Sequence, residues 1–415
     1  MERWGGADHP IRKAVAAMST ARISWCHSKT AAARICVCSA ILLYCVYLTA
    51  LRTSSPIDHA TNLANAPTSS SVLGGASTSN GVEKEKVGVY ELKRGDFTVK
   101  LTNFGATVLS VLLPDKNGKL DDVVLGYETI DKYKNDSTYF GSIVGRVANR
   151  ISRAQFTLNG THHRLVSNDR NNTLHGGPRG FNEVVWKVKH YNTTSHVTFT
   201  YRSCDGEEGF PGDLDVKVTY MLIETNKLAI KMVAKAINKA TPVNLASHTY
   251  WNLGGHCSGD ILSHNLTLFA SAITPVDGDL IPTGQIVSVQ GTPYDFRRSR
   301  TIGSKFNELT NGYDINYVVD TEGGKKRFSK VAVVEESKSG RKMELWSNKP
   351  GVQFYTSNML GHVKGKDGVT YSNYAGLCLE TQGFPDSVNH PNFPSQIVNP
   401  GETYKHVMVY IFTPN

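Results

Sequence analysis

Cysteine is scarce in most of this 415-residue chain, and its placement argues against two kinds of structure. Beyond residue 45 the sequence holds only Cys204, Cys257 and Cys378, which are far apart and show no C-x-x-C spacing. A disulfide framework needs an even and dense set of cysteines, and a structural zinc site needs closely spaced ligands. The sequence therefore predicts at most one disulfide and no zinc site in this part of the chain.

Motifs of several other functional classes are also missing. No G-x-G-x-x-G or Walker loop is present for a nucleotide, no G-x-S-x-G elbow for a serine hydrolase, and no H-E-x-x-H pair for zinc. The formal net charge is +9, but no dense Lys/Arg tract is interleaved with aromatic residues. Nucleic-acid binding is therefore not expected.

The N-terminal region contains a hydrophobic run with basic residues before it. Residues 1–34 are basic, and residues 35–51 ("ICVCSAILLYCVYLTAL") carry no charge. As a helix the run would be about 26 Å long, close to the lower limit for a hydrocarbon core of about 30 Å. The positive-inside rule then places the N-terminus in the cytosol and the rest of the chain across the membrane. We predict an anchor helix at 35–51. Alternatives are a cleaved signal peptide that starts at Met18, an organelle transit peptide and a buried core helix.

A flexible tether is predicted after this run. Residues 52–85 are rich in Ser, Thr, Ala and Gly and offer little to bury. Beyond the tether lie five Asn-x-Ser/Thr sequons, which fit a chain that enters the secretory pathway. The candidate N-glycosylation sites are Asn135, Asn159, Asn171, Asn192 and Asn265.

The remainder, residues 86–415, has the pattern of strands. Stretches 97–115, 196–203 and 341–347 alternate apolar and polar residues and are rich in β-branched and aromatic side chains. Residues 215–238 read as a hairpin that turns near residues 224–227, and Asn-Gly turns recur at 117–118, 159–160 and 311–312. No long amphipathic helix is apparent. We predict an all-β domain, a large antiparallel β-sandwich.

The loop "TLHGGPRGF" (173–181) places His175 before several glycines. A phosphate cradle would need a strand–loop–helix context, and Pro178 lacks the amide donor that such a cradle uses. Taken alone, the loop is compatible with an ordinary surface turn. Other segments, however, also place a polar residue among Gly, Asn or aromatic residues at a strand end. They are "VGRVANRI" (144–151), "NLASHTYWNLGG" (244–255), "NGYDINYVV" (311–319), "GVQFYTSN" (351–358) and "LCLETQGFPDSVNHPNFP" (377–394).

Together these six motifs suggest a sugar site, because planar polar groups bind hydroxyls and aromatic faces cover C–H patches. In their order and spacing they resemble the aldose 1-epimerase (galactose mutarotase) family, over residues 86 to 415. The resemblance implies a galactose mutarotase-like sandwich. It also implies an enzyme that interconverts the α and β anomers of free hexoses such as glucose and galactose, with a monosaccharide as its ligand and without metal or cofactor. We expect a monomer.

The resemblance also implies a role for individual residues. Glu380 would be the general base and His248 the general acid, and His175 would hydrogen-bond the sugar near its ring oxygen. By the same resemblance, the residues that bind the substrate would be Asn149, Arg150, Tyr250, Asp314 and Gln353. Structural alternatives are a solvated strand-end carboxylate for Glu380, a core histidine for His248 and a simple ion pair for Arg150.

Two other functions fit parts of the sequence. A glycoside hydrolase on a related sandwich would need a second carboxylate beside Glu380, and only Asp314 is available in these motifs. A membrane-tethered module that binds a sugar or a partner without catalysis would explain the anchor. The intact Glu380 and His248 favour the epimerase.

Overall fold

A computed structural model describes residues 85–134, 136–320 and 328–414. Within these ranges the chain is built from short and medium strands. They are β1 (Val89–Arg94), β2 (Phe97–Thr102), β3 (Thr107–Pro114), β4 (Leu120–Asp122), β5 (Ile143–Val144), β6 (Arg150–Ile151), β7 (Gln155–Leu158), β8 (Thr161–Arg164), β9 (Thr173–Leu174), β10 (Lys187–Asn192), β11 (His196–Ser203), β12 (Leu214–Glu224), β13 (Lys227–Ala236), β14 (Thr241–Pro242), β15 (Ala246–Ser247), β16 (Tyr250–Trp251), β17 (Asn265–Leu268), β18 (Ala270–Thr274), β19 (Val287–Ser288), β20 (Arg300–Thr301), β21 (Asp314–Val319), β22 (Ser329–Glu335), β23 (Arg341–Ser347), β24 (Gly351–Tyr355), β25 (Val363–Lys364), β26 (Thr370–Tyr371), β27 (Leu377–Gln382), β28 (Ile397–Val398) and β29 (Thr403–Pro414).

Helical structure in the described ranges is limited to single turns and one seven-residue segment of 3-10 type. These segments are Ile130–Tyr133, Ser152–Ala154, Phe181–Glu183, Glu207–Gly209, Ile302–Glu308, Lys366–Gly368 and Ser387–Asn389. Across residues 85–134, 136–320 and 328–414, no helix has both the length and the apolar character needed to span a membrane. The predicted anchor at 35–51 and most of the tether at 52–85 lie outside the described residues.

Two large sheets form the body of the described region. One has nine strands in the order β10-β11-β12-β13-β29-β23-β22-β17-β20, and the other has six in the order β16-β27-β24-β21-β18-β19. A four-stranded sheet, β1 to β4, adds to them, and all the ladders between these strands are antiparallel. The all-β, antiparallel prediction is confirmed for this region.

One apolar cluster fills the space between the large sheets. Trp251 of β16 packs against Tyr410 and Phe412 of β29, with ring centroids 4.9 and 5.5 Å apart. Strand β27 is buried along its whole length and contributes Leu379 to this cluster. Because side chains alternate along a strand, the opposite face of β27 carries Cys378, Glu380 and Gln382.

Several strand predictions match the structure at residue level. Stretches 196–203 and 341–347 are strands β11 and β23, and residues 214–236 form the β12–β13 hairpin. The Asn159-Gly160 pair turns the β7–β8 hairpin with φ of 50° and 77°, as a type I′ turn requires. Stretch 97–115 is two strands rather than one, because Gly105 and Ala106 adopt left-handed φ values and turn the chain between β2 and β3.

Candidate active site

A cavity of about 650 Å³ opens beside the six-stranded sheet, and it brings together residues from all six sequence motifs. Each of the eight predicted catalytic and substrate-binding residues lines it. They are Asn149, Arg150, His175, His248, Tyr250, Asp314, Gln353 and Glu380. Residues that lie far apart in the sequence therefore share one site, as the motifs predicted.

Three polar residues on neighbouring strands form one wall of the cavity. Gln353 of β24 lies directly opposite Glu380 of β27, so their side chains share one face of the sheet. The amide of Gln353 donates a hydrogen bond of 2.6 Å to Oδ1 of Asp314, which begins β21. The strands therefore fix two carboxyl groups and an amide on a rigid surface.

Glu380 is buried and partly unsatisfied. Its side chain is 2% exposed, and Oε2 has no hydrogen-bond partner among the described residues. Burial, helped by the negative charge of Asp314, raises the pKa of Glu380 well above its usual range, while Arg150 opposes the shift. Once ionised, this carboxyl group is a strong proton acceptor, because its environment among the described residues favours the protonated form.

His248 lies next to Glu380 on the segment between β15 and β16. Its Nε2 atom is 3.7 Å from Oε1 of Glu380, and its Nδ1 atom is 3.7 Å from Sγ of Cys378. Burial lowers the pKa of His248 to about 4. The imidazole is therefore neutral at pH 7 when the carboxyl group holds its proton.

The pKa values of Glu380 and His248 shift in opposite directions for the same reason. Burial disfavours charge on either group, so the carboxyl group holds its proton more firmly and the imidazole holds one less firmly. Both shifts favour the neutral form of the pair, in which the carboxyl group holds its proton and the imidazole carries no charge. Transfer of that proton across 3.7 Å produces a carboxylate base and an imidazolium acid side by side.

The glycine-rich loop brings His175 into the same cavity. His175 has φ of 53°, and Gly176 and Gly177 follow with φ of 95° and 102°. A Cβ atom on Gly176 would lie 2.0 Å from the carbonyl oxygen of Gly145, so only glycine permits the two loops to approach this closely. The loop is a tight turn that presents a buried histidine to the site.

Two hydrogen bonds with Asn149 orient His175. The main-chain N–H of His175 donates to the carbonyl of Asn149 (3.0 Å), and the main-chain N–H of Asn149 donates to Nδ1 of the imidazole (3.2 Å). Burial lowers the pKa of His175 well below its usual range, so the ring is neutral. Since Nδ1 accepts, Nε2 carries the proton and is a donor.

Arg150 is both an ion-pair partner and part of the cavity wall. Its Nε donates to Oδ2 of Asp169 at 2.6 Å, and its side chain is largely buried. The ion pair anticipated as a structural alternative is therefore present, yet the guanidinium also lines the cavity. Because Asp169 engages Nε, it fixes the side chain of Arg150 in that position.

Comparison with known proteins gives the geometry its context. Residues 88–411 match the family model described as aldose 1-epimerase. The chain belongs to the aldose 1-epimerase family. Galactose mutarotase from Bos taurus is 42% identical over 327 residues, which cover 78% of this chain and 93% of that protein. Aldose 1-epimerase from Escherichia coli is 34% identical over 322 residues, with coverage of 76% and 91%.

A solved structure agrees with this assignment. An aldose epimerase homologue from C. elegans superposes with a TM-score of 0.75 at 32% identity, over 80% of this chain and all of that one. Galactose 1-epimerase from Lactobacillus acidophilus gives a TM-score of 0.67 at 25% identity, with coverage of 79% and 98%. The chain therefore has a galactose mutarotase-like fold and is an isomerase.

The hydrogen bonds of this epimerase site indicate whether its residues suit a metal ion. His175, His248 and Glu380 offer one ligand atom each, and these atoms all lie within 4.8 Å of one another. A histidine that ligates a metal donates its other N–H to an acceptor. At His175 the relation is reversed, because Nδ1 accepts a main-chain N–H and Nε2 keeps its proton. This tautomer suits a hydrogen-bond donor to a sugar oxygen rather than a metal ligand.

Several other residues of the epimerase cavity lie outside the six motifs. They include a tyrosine, two lysines and a methionine: Tyr139, Lys132, Lys364 and Met359. The aromatic pair in "STYFG" (137–141) was the one available signal for the first of them. Lys132 lies in the 3-10 turn Ile130–Tyr133, Lys364 in β25 and Met359 in a turn, and their distance from Glu380 depends on the tertiary fold.

Proposed function

We propose that Glu380 is the general base and His248 the general acid with which this aldose 1-epimerase interconverts the α and β anomers of free hexoses such as galactose and glucose. The observation that carries the proposal is the buried pair itself. Its two reactive atoms are 3.7 Å apart, and burial shifts the pKa values of the two groups in opposite directions. Acid–base catalysis needs one group that can donate a proton and one group that can accept a proton.

In the forward reaction the carboxylate of Glu380 takes the proton from the hydroxyl on C1. The imidazolium of His248 gives its proton to the ring oxygen as the bond between C1 and that oxygen breaks. The open aldehyde then rotates about its C1–C2 bond. When the ring closes onto the other face, Glu380 gives its proton to the oxygen on C1, and His248 takes back the proton of the hydroxyl that becomes the ring oxygen. The enzyme therefore ends in its starting state. The C1 hydroxyl and the ring oxygen are bonded to the same carbon, which suits an acid and a base this close together.

The other residues of the cavity have binding roles in this proposal. Nε2 of His175 donates a hydrogen bond to a sugar oxygen, and it does so near the ring oxygen, where negative charge develops. Asn149, Arg150, Asp314 and Gln353 bind hydroxyl groups with planar polar atoms. Tyr250 forms part of the wall. Its ring stacks on His248 at 5.1 Å and its hydroxyl donates to the carbonyl of Thr138.

Polarimetry on freshly dissolved α-D-glucose and α-D-galactose tests these roles. We expect the full-length chain to accelerate the change in optical rotation. E380Q and H248N should each lower kcat by roughly 100- to 10,000-fold, since each removes one proton-transfer group. Full activity in E380Q would reject the base assignment. An unchanged spontaneous rate with the wild type would reject the enzymatic function.

A second proposal concerns where the enzyme resides. The charge-free run at 35–51 anchors the chain, and the catalytic region, residues 86–415, lies on the lumenal or extracellular side as a monomer. Three sequon asparagines, Asn159, Asn171 and Asn192, are exposed, and Asn265 is half-buried in β17. Asn135 lies outside the described residues. Supporting sequence features are the basic residues before the run and the five sequons.

Expression in a eukaryotic cell tests the placement. The full-length chain should sediment with membranes and lose apparent mass on treatment with an N-glycosidase. Replacing Asn159, Asn171 and Asn192 by glutamine should remove most of that loss. A chain of unchanged mass that remains in the cytosolic fraction would overturn the proposal. Cross-linking at low concentration would show a dimer if the monomer assignment were wrong.

A further inference from the structure

The imidazole of His248 stacks on two tyrosine rings, and one of them also contacts His175. Tyr139 stacks on His248 with centroids 5.7 Å apart and planes 27° apart. The same ring meets His175 edge to face, at 4.7 Å and 61°. The two histidine rings are themselves 5.1 Å apart at 77°. One side chain thus borders both imidazoles of the site.

Main-chain hydrogen bonds place the turn at residues 139–142 against His248. The N–H of Gly141 donates to the carbonyl of His248 (3.0 Å), and the N–H of His248 donates to the carbonyl of Ser142 (2.9 Å). Tyr139 has a left-handed φ of 59°, and a Cβ atom on Gly141 would lie 2.0 Å from the carbonyl oxygen of Val108. The turn is therefore held between β3 and His248, with little freedom to move the tyrosine ring.

The hydroxyl of Tyr139 makes no hydrogen bond to any residue within 85–134, 136–320 or 328–414, although the residue lines the cavity. Burial raises the pKa of this phenol to about 12. The side chain is thus neutral over the working pH range. Its defined contacts in the protein are those of the ring, which points to a role for the ring in packing.

We propose that Tyr139 is a positioning residue for epimerisation: its ring holds the imidazoles of His248 and His175 in the orientations that face the sugar. The inference rests on the proposed roles of those two histidines. An imidazole buried only by small or flexible side chains would rotate about its side-chain bonds. A rigid aromatic ring stacked on one imidazole and touching the other restricts both at once. It also excludes water from them.

The pH dependence of the site depends on every group that faces the two imidazoles. The two imidazoles face each other. The other groups are Glu380, Cys378, Tyr250 and Tyr355 around His248, and Arg150, with the main-chain N–H of Asn149, around His175. Tyr139 adds an uncharged ring to this set. Removing the ring admits water without changing the charge, so hydration alone should move the pKa of His248 from about 4 towards the ordinary value.

Two substitutions separate the ring from the hydroxyl. Y139F keeps the ring, and we expect kcat and the pH profile of mutarotation to stay within about threefold of wild type. Y139L removes the ring and keeps an apolar side chain. We expect kcat to fall roughly 100-fold, as for other small misplacements of reacting groups. KM should change much less, and the acid limb of the pH profile should move to higher pH. Tyr139→Met is the alternative if the leucine variant does not fold.

A matched control is Tyr191→Leu, at an exposed tyrosine of the edge strand β10. It should leave kcat and the pH profile unchanged even if it lowers stability. The inference is overturned if Y139L retains the kcat and acid limb of the wild type. It is also overturned if Y139F loses as much activity as Y139L, because the hydroxyl would then be responsible. An inactive wild type would instead reject the proposed function, so the two failures are distinguishable.

Discussion

Replacing Glu380 by glutamine should remove activity and, at neutral pH, make the folded protein more stable. The side chain is 2% exposed, and one of its oxygen atoms has no partner among the described residues. Burial raises the pKa of this carboxyl group well above its usual range. The folded state therefore keeps a proton that the unfolded state releases. The stability that this proton contributes is fully present below the pKa of Glu380 in the unfolded chain. It is lost as the pH rises towards the higher pKa of Glu380 in the folded protein.

The size of the effect follows from the raised pKa of the carboxyl group. Each unit by which the pKa is higher in the folded than in the unfolded state costs about 1.4 kcal/mol at a pH above both values, and glutamine is a side chain of almost the same shape with no such proton to lose. We expect E380Q to increase the free energy of unfolding at pH 7.5 by about 1 to 3 kcal/mol. The melting temperature should rise by roughly 2 to 6 °C. At pH 4 the glutamate is protonated in both states, so the difference should nearly vanish.

Urea denaturation followed by circular dichroism at both pH values measures this difference, with polarimetry on the same samples. Glu308→Gln is the control, because its side chain is 53% exposed and the substitution should alter neither stability nor activity much. The reasoning would be refuted if E380Q were less stable than wild type at pH 7.5. A gain of equal size at pH 4 and pH 7.5 would also refute it, since the effect would then not come from ionisation.

Three more outcomes are expected. The kcat of mutarotation should follow a bell-shaped pH profile, because the Glu380–His248 pair needs one proton. Its acid limb should lie near pH 4, where the imidazole takes a second proton, and its alkaline limb well above the ordinary range of a glutamate. Gly176→Ala should lower the free energy of unfolding by about 1 to 3 kcal/mol, because φ is 95° and the facing loop is in contact. Asp169→Asn should raise KM about tenfold or more with a smaller change in kcat, because the charge-assisted bond to Arg150 is weakened.

These outcomes have clear controls. Gly118 has a similar φ of 83°, but no atom lies within 4 Å of a Cβ added there. Gly118→Ala should therefore lower the free energy of unfolding less than Gly176→Ala, and the difference measures the cost of the clash between the two loops. Equal losses would mean that loop contact adds nothing. An activity that rises steadily with pH would contradict the one-proton pair. An Asp169→Asn variant with unchanged KM would show that Arg150 does not need its partner to bind substrate.

Features with local causes were predictable from the sequence. Strands β11 and β23 matched their predicted limits because alternation of apolar and polar residues depends on the strand alone. The turn at Asn159-Gly160 followed from the left-handed conformations that these two residue types tolerate. The break between β2 and β3 was missed, because a turn at Gly105 and Ala106 leaves the alternating pattern on either side intact.

The site residues that lie in a recognisable sequence motif were predictable from the sequence. Glu380 after the apolar run 377–379 and His175 before glycines were recognised, and the fold places both in one cavity. Tyr139 was missed because its contact with the histidines arises from a turn that belongs to another part of the chain. The ion pair between Arg150 and Asp169 was anticipated only as a possibility, since the partner is set by how two loops meet.

The bond between the main-chain N–H of Asn149 and Nδ1 of His175 has a consequence for how the protein tolerates sequence change. Side-chain donors disappear when a residue is replaced, and acidic or basic ones also change with pH. A peptide N–H does neither, and only proline lacks it. Proline cannot adopt the φ of 62° found at position 149. Substitution at position 149 can therefore change the sugar contacts proposed for its side chain, while the main-chain donor that keeps the proton of His175 on Nε2 remains.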